Sequence, residues 1–117
     1  MKLREIQNIL GAEVITGEDF LNKDIQSAFG SDLMSDVLTL VDEKAILLTG
    51  LNNPQIIRTA EIIDLFAIIL VRGKTPEEDL IKLAEEKKVT LMTTNHTLYT
   101  ASGLLYSNGL RGVKLDE

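Results

Sequence analysis

The sequence of 117 residues has no cysteine, no tryptophan, one histidine, two prolines and only 4% aromatic residues. Without cysteine there is no disulfide framework, no thiolate metal site and no cysteine nucleophile. One histidine excludes the His and Cys clusters that zinc requires. No G-x-S-x-G elbow accompanies it, which argues against a serine triad. Positive charge is also scarce: 12 Lys and Arg stand against 18 Asp and Glu, for a formal net charge of −6. Such a surface repels phosphate backbones, so nucleic acid is not an expected partner. Long apolar runs are missing as well. The longest, Ile62 to Val71, is interrupted by Asp64 and is about half the length of a membrane span. The start, Met1-Lys2-Leu3-Arg4-Glu5, carries charges where a signal peptide has its apolar core. No membrane partner is expected, and a cytoplasmic location is the simplest reading. Neither G-x-x-x-x-G-K-[ST] nor G-x-G-x-x-G occurs, so the ordinary phosphate-loop and dinucleotide fingerprints are absent.

What is present is the composition of one globular domain, 44% apolar and 26% charged. No linker-like or low-complexity stretch divides it, and the sequence reads as a single domain over 1–117. Leu3, Ile6 and Leu10 recur at helical spacing, and Gly11 suits the left-handed end of that helix. Ala12 to Ile15 reads as a short strand, and Asp24 to Phe29 as a second. Met34, Val37, Leu38 and Val41 predict an amphipathic helix, with Ser31 or Asp32 as its cap.

Two unbroken apolar runs follow, Ala45–Leu48 and Phe66–Val71, and a third, weaker one, Val89–Met92, is interrupted by Thr90. Runs of this kind mark strands buried on both faces, as in a parallel sheet covered by helices. Asn53-Pro54 predicts a capped helix start between the first two runs. Thr75-Pro76-Glu77-Glu78 predicts another, as a capping box, and Lys87 and Lys88 suit its end. Asn95 is a candidate cap for a last helix from about His96 to Ser107. The tail from Leu110 to Glu117 is polar and is expected to fray. Strands alternating with helices give an α/β fold.

Ligands of open α/β sheets bind beyond the carboxyl ends of the strands. The candidate ligand-binding residues are therefore Thr49, Gly50, Asn52, Asn53, Arg72, Gly73, Lys74, Thr93, Thr94 and His96. Gly30-Ser31-Asp32 supplies a fourth loop. Each loop leads into a helix, so unpaired backbone N–H groups are expected to collect there and favour an anion. Arg72 and Lys74 add positive charge in an otherwise acidic chain. The expected ligand is a small phosphate-bearing molecule or nucleotide.

Other residues admit two readings each. His96 suits a general acid or a ligand contact, or a surface position. Arg58 can reach the rim or pair on the surface. Asp32 and Asp36, four apart on one predicted helix, can hold Mg²⁺ or complement the helix dipole. Tyr99 and Tyr106 suit packing or an interface better than base stacking. A receiver-type phospho-acceptor is disfavoured, because Leu48 leads into Thr49-Gly50 rather than into an Asp; the acidic residues before Ala45 lie at the other end of that strand.

Several segments together carry a resemblance. They are Ser31 to Leu38, Leu47-Leu48-Thr49-Gly50-Leu51, Asn53 to Ala60, Val71-Arg72-Gly73-Lys74, Thr93-Thr94 and Ser102 to Tyr106. In this order they resemble the DRTGG domain family over nearly the whole chain. The Thr-Gly pair of the namesake motif is Thr49-Gly50. Leu51 replaces the second Gly, and Asp32 or Asp36 is present without a following Arg. The resemblance implies a three-layer Rossmann-like sandwich with a mostly parallel sheet of about four or five strands, similar to the amino-terminal, non-catalytic domain of HPr kinase/phosphorylase. DRTGG domains also accompany CBS-domain pairs in regulatory regions that sense adenine nucleotides. The resemblance thus implies a regulatory or ligand-sensing domain, here free-standing, rather than an enzyme. The alternative is an interaction module with a protein partner and no ligand. A homodimer is expected, symmetric dimers being the commonest oligomers. No catalytic residue, resident cofactor or metal is assigned.

Overall fold

The computed structural model describes residues 1–41 and 44–114. The elements in chain order are α1 (Leu3–Leu10), β1 (Glu13–Thr16), a 3₁₀ turn (Glu18–Phe20), β2 (Ser27–Gly30), α2 (Met34–Leu40), β3 (Ala45–Thr49), α3 (Gln55–Ile62), β4 (Ala67–Leu70), α4 (Glu78–Lys87), β5 (Thr90–Thr93) and α5 (Leu98–Ser107). One sheet holds the five strands in the order β1-β5-β4-β3-β2. The pairs β2–β3, β3–β4 and β4–β5 are parallel. β1 runs antiparallel to β5, with a register shift between Val14 and Thr16. This is the expected α/β, mostly parallel sandwich.

The apolar runs become strands because both faces of the sheet are covered. From β3, Ile46 and Leu48 pack on the α1 and α5 side with Ile69 and Met92. Ala45 and Leu47 pack on the opposite side with Ile68, Leu70, Leu91 and the inner faces of α2, α3 and α4. At about 25–30 cal/mol per Å² of apolar surface, or about 2 kcal/mol for each large aliphatic side chain, these two layers dominate the stability. On α1, Leu3, Ile6 and Leu10 are buried as expected, and Gly11 ends the helix at φ 58°.

Antiparallel β1 is held by two threonines. The buried Thr16 Oγ1 donates to Val89 O (2.8 Å) and accepts from Leu91 N (3.1 Å). Thr90 Oγ1 donates to Gly17 O (3.0 Å). These bonds stitch the edge strand to β5 where the ladder is irregular.

Several local expectations are corrected. The Thr75 capping box does not form: α4 begins at Glu78 with Glu77 at the cap position and no side-chain cap. α5 begins at Leu98, capped by Thr97, whose side chain accepts from Thr100 N; Asn95 is not its cap. Asn53 does accept from Gln55 N (2.9 Å), with Pro54 already helical in its dihedral angles. Neither Ser31 nor Asp32 caps α2. Its cap position is Leu33, and Ser31 Oγ accepts from Leu33 N just before the helix (2.9 Å). Leu38, predicted to point inward, is 42% exposed. Leu110 is buried, and residues 111–113 run beside β2 rather than as a loose tail, with Ala28 N donating to Arg111 O (3.0 Å) and Val113 N to Ala28 O (3.2 Å). The rest of that tail, 115–117, and the acidic pair before Lys44 lie outside the described residues.

Candidate functional site

Because β2 to β5 are parallel, the loops leaving their carboxyl ends share one rim. Hydrogen bonds between the loops fix their relation. From the β2–α2 loop, Asp32 Oδ1 accepts from Thr49 Oγ1 (2.8 Å) and from Gly50 N (2.7 Å). Thr49 Oγ1 in turn accepts from Leu51 N (3.1 Å). From the β4–α4 loop, Lys74 Nζ donates to Gly50 O (2.6 Å). The Arg72 guanidinium lies over Gly50, in the space a side chain at 50 would need. A side chain at 50 would have to push that guanidinium aside.

The next loops are tied in the same way. The Asn52 carboxamide bridges to the start of α4: Nδ2 donates to Thr75 O (2.8 Å) and Oδ1 accepts from Glu77 N (3.1 Å). Arg72 N donates to His96 O (2.7 Å), and Gly73 N to Thr94 O (2.9 Å). Arg72 and Gly73 are consecutive left-handed residues, at φ 68° and 65°. For a side chain as large as arginine that conformation is strained, by about 1 kcal/mol. The bond to His96 O holds it and aims the guanidinium back over β3.

The electrostatics follow from this geometry. The Gly50 N–H holds the Asp32 carboxyl below its ordinary pKa. Partial burial works against it, while the Thr49 hydroxyl and the charges of Arg72 and Lys74 add to the lowering. The result is one carboxylate and two cations gathered around the backbone of a single glycine.

The candidates divide accordingly. Thr49, Gly50, Arg72, Gly73 and Lys74 come together. Asn52 and Asn53 line the same loops, with their carboxamides engaged in shaping them. His96 reaches the rim through its backbone carbonyl. Thr94 does not face it: the side chain is buried and its hydroxyl donates to Leu10 O (2.9 Å). Thr93 is half-buried in β5 and pairs with Glu13 of β1. The expectation of unpaired amides is corrected in part, since the N–H groups of Gly50, Leu51, Arg72, Gly73 and Glu77 all have internal acceptors. Asp32 lies ahead of α2, so it and Asp36 do not form a carboxylate pair on one helix face. Among the described residues no group of three or more His, Cys, Asp or Glu is placed to hold a metal ion. Sequence reasoning offers Asp32 as a cap, a Mg²⁺ ligand, part of a fourth rim loop and the Asp of the family motif, but not as the partner of Thr49 and Gly50. Its place one residue beyond Gly30-Ser31, beside the strand ending in Thr49-Gly50, was the available signal.

Comparison with known proteins places this geometry in a family. The crystal structure of the CBS and DRTGG domains of the regulatory region of Clostridium perfringens pyrophosphatase, complexed with the activator diadenosine tetraphosphate, superposes with a TM-score of 0.71 at 25% sequence identity. The match covers 89% of this chain and 45% of that one, so the chain spans less than half the length of this relative. No curated protein matches the chain significantly. Residues 5–107 match the DRTGG domain model, and the chain belongs to the DRTGG domain family.

Proposed function

We propose that this chain is a regulatory, ligand-sensing domain that binds a phosphate-bearing small molecule of the nucleotide class at the rim of its sheet. The observation that carries the reading is the convergence of Arg72 and Lys74, from one loop, on Gly50 of the next, beside the Thr49 hydroxyl. A planar guanidinium and an ammonium held side by side suit phosphate oxygens. The solved relative supports the same reading, being a regulatory region in complex with a dinucleotide activator. On this reading the whole of 1–117 acts as one non-enzymatic domain in the cytoplasm. Among the described residues no helix is long and apolar enough to cross a membrane.

Thermal melting with AMP, ATP and diadenosine tetraphosphate tests the reading. A ligand at 100 times its Kd stabilises the fold by about 2.7 kcal/mol, a shift on the order of 10 °C for this length. Arg72→Ala and Lys74→Ala should each remove most of the shift. No shift with any of the three at millimolar concentration would refute the reading.

A second reading, a homodimeric or adaptor module without a ligand, is favoured by one observation. Tyr99 and Tyr106 on the outer side of α5 are 90% and 58% exposed, and exposed aromatics are enriched at interfaces. Sedimentation of the wild type and of Tyr106→Ser distinguishes it. A dimer that dissociates in the variant supports this reading, and a monomeric wild type with no stable partner removes it.

A further inference from the structure

We infer that Asp32 is a built-in competitor for the rim, an internal carboxylate that occupies the anion position when no ligand is present and must leave when a phosphate enters. This inference rests on the rim reading above and specifies how that site is regulated. Asp32 Oδ1 takes two donors at once, the Gly50 amide and the Thr49 hydroxyl. Those are the donors that a phosphate oxygen lying between Arg72 and Lys74 would use. With Asp32 in place, the local charge of these three side chains is +1. With it displaced, the charge is +2, which a nucleotide phosphate can match.

The setting of Asp32 supports a displaceable role. The residue stands just ahead of α2, where an aspartate ordinarily caps the helix. It does not do so here; the side chain turns away from its own helix to the neighbouring strand. The residue is also exposed, so releasing it uncovers little apolar surface. Asp32 is the point where the start of α2 is fastened to the β3–α3 loop. Its departure therefore loosens α2, where Leu33 at the cap position and Leu38 within the helix are exposed. Ligand entry at the rim is thereby converted into a change in how α2 and its exposed leucines are held, which a sensing domain needs in order to report.

Calorimetric titration with ATP and with inorganic tripolyphosphate, both in EDTA, tests the inference on wild type, Asp32→Asn and Asp32→Ala. Removing the competitor should tighten both ligands, by about tenfold for Asp32→Ala. Asp32→Asn keeps an acceptor without the charge and should fall between; it also carries the test if the alanine variant fails to fold. Hydrogen exchange of the wild type should show the first-turn amides of α2 exchanging faster when ATP is added. If wild type binds and neither variant binds more tightly, Asp32 is a structural tie or a ligand contact. The competitor is then disproved while the rim reading stands. If neither wild type nor the variants bind either ligand, the rim reading fails and takes this inference with it.

Discussion

The carboxylate of Asp32 and the amide of Gly50 meet at 2.7 Å across a separation of 18 residues. That bond joins the end of β2 to the end of β3. The Arg72 guanidinium, from beyond β4, lies on the same glycine. Three successive strands of the parallel sheet thus deliver one group each to a single point. The adjacency follows from the strand order, because parallel neighbours end at the same rim.

Substituting Gly50 should separate binding from stability. A methyl group at 50 collides with the far end of the Arg72 side chain. A flexible guanidinium can swing away, so Gly50→Ala should lower the unfolding free energy by less than about 1 kcal/mol, the scale of small surface changes. It should nevertheless reduce nucleotide-induced stabilisation as much as Arg72→Ala does, because the guanidinium no longer lies over the loop. Urea denaturation and thermal shift on the same sample check both halves. A variant that binds like wild type would place the ligand elsewhere.

Acid should weaken the Asp32 tie in a defined direction. The folded-state pKa of Asp32 lies below the ordinary value. Its contribution is therefore fully present above the unfolded pKa of about 3.9 and is lost as pH falls through the folded pKa. At pH 7, Asp32→Asn should be less stable than wild type, by no more than about 1 kcal/mol because the carboxylate is solvent-screened. Below the folded pKa, where the wild-type side chain is also neutral, the two should converge. Denaturation midpoints measured from pH 7 downward check this. A gap that persists into strong acid would assign the effect to shape rather than charge.

The edge of the sheet supplies a prediction independent of the rim. Thr16 Oγ1 is buried, donates to Val89 O and accepts from Leu91 N. Thr16→Val keeps the shape and removes the hydroxyl, leaving both backbone groups without their partner. The expected loss is about 2 kcal/mol, read as a lower Tm. Ligand response should be unaltered, since β1 lies at the opposite edge of the sheet from β2. A loss below about half a kcal/mol would mean that water replaces the hydroxyl.

These sites also show what a sequence discloses. Ala45–Thr49 is legible as a strand because both faces are buried, leaving a pattern without polar interruption. α1 is legible because its contacts recur at helical spacing. The start of α4 is not legible because local chemistry at Thr75-Pro76 is overridden from a distance: Asn52, in another loop, takes the Glu77 N–H and fastens Thr75 O. The role of Asp32 is hidden for the same reason, its partners being 17 and 18 residues away. The antiparallel placement of β1 depends on Thr16 meeting Val89 and Leu91, contacts that no short window contains. The rim's loops and cations were thus readable, and the bonds between loops were not.

Arg72 offers the sharpest separation of function from stability. It sits at φ 68°, where a residue with a β-carbon is strained and glycine is not. A residue chosen for stability alone would be glycine, as at Gly73 beside it. Arg72→Gly should therefore stabilise the unliganded fold by about 0.5–1 kcal/mol, seen as a higher urea midpoint with an unchanged slope. The same variant has no guanidinium and should lose most of its nucleotide-induced thermal shift. Arg72→Ala retains the strain and should show the binding loss without the gain. If Arg72→Gly is instead destabilised, the guanidinium over Gly50 contributes more to the fold than the backbone conformation costs, and the arginine is explained by packing rather than by a ligand.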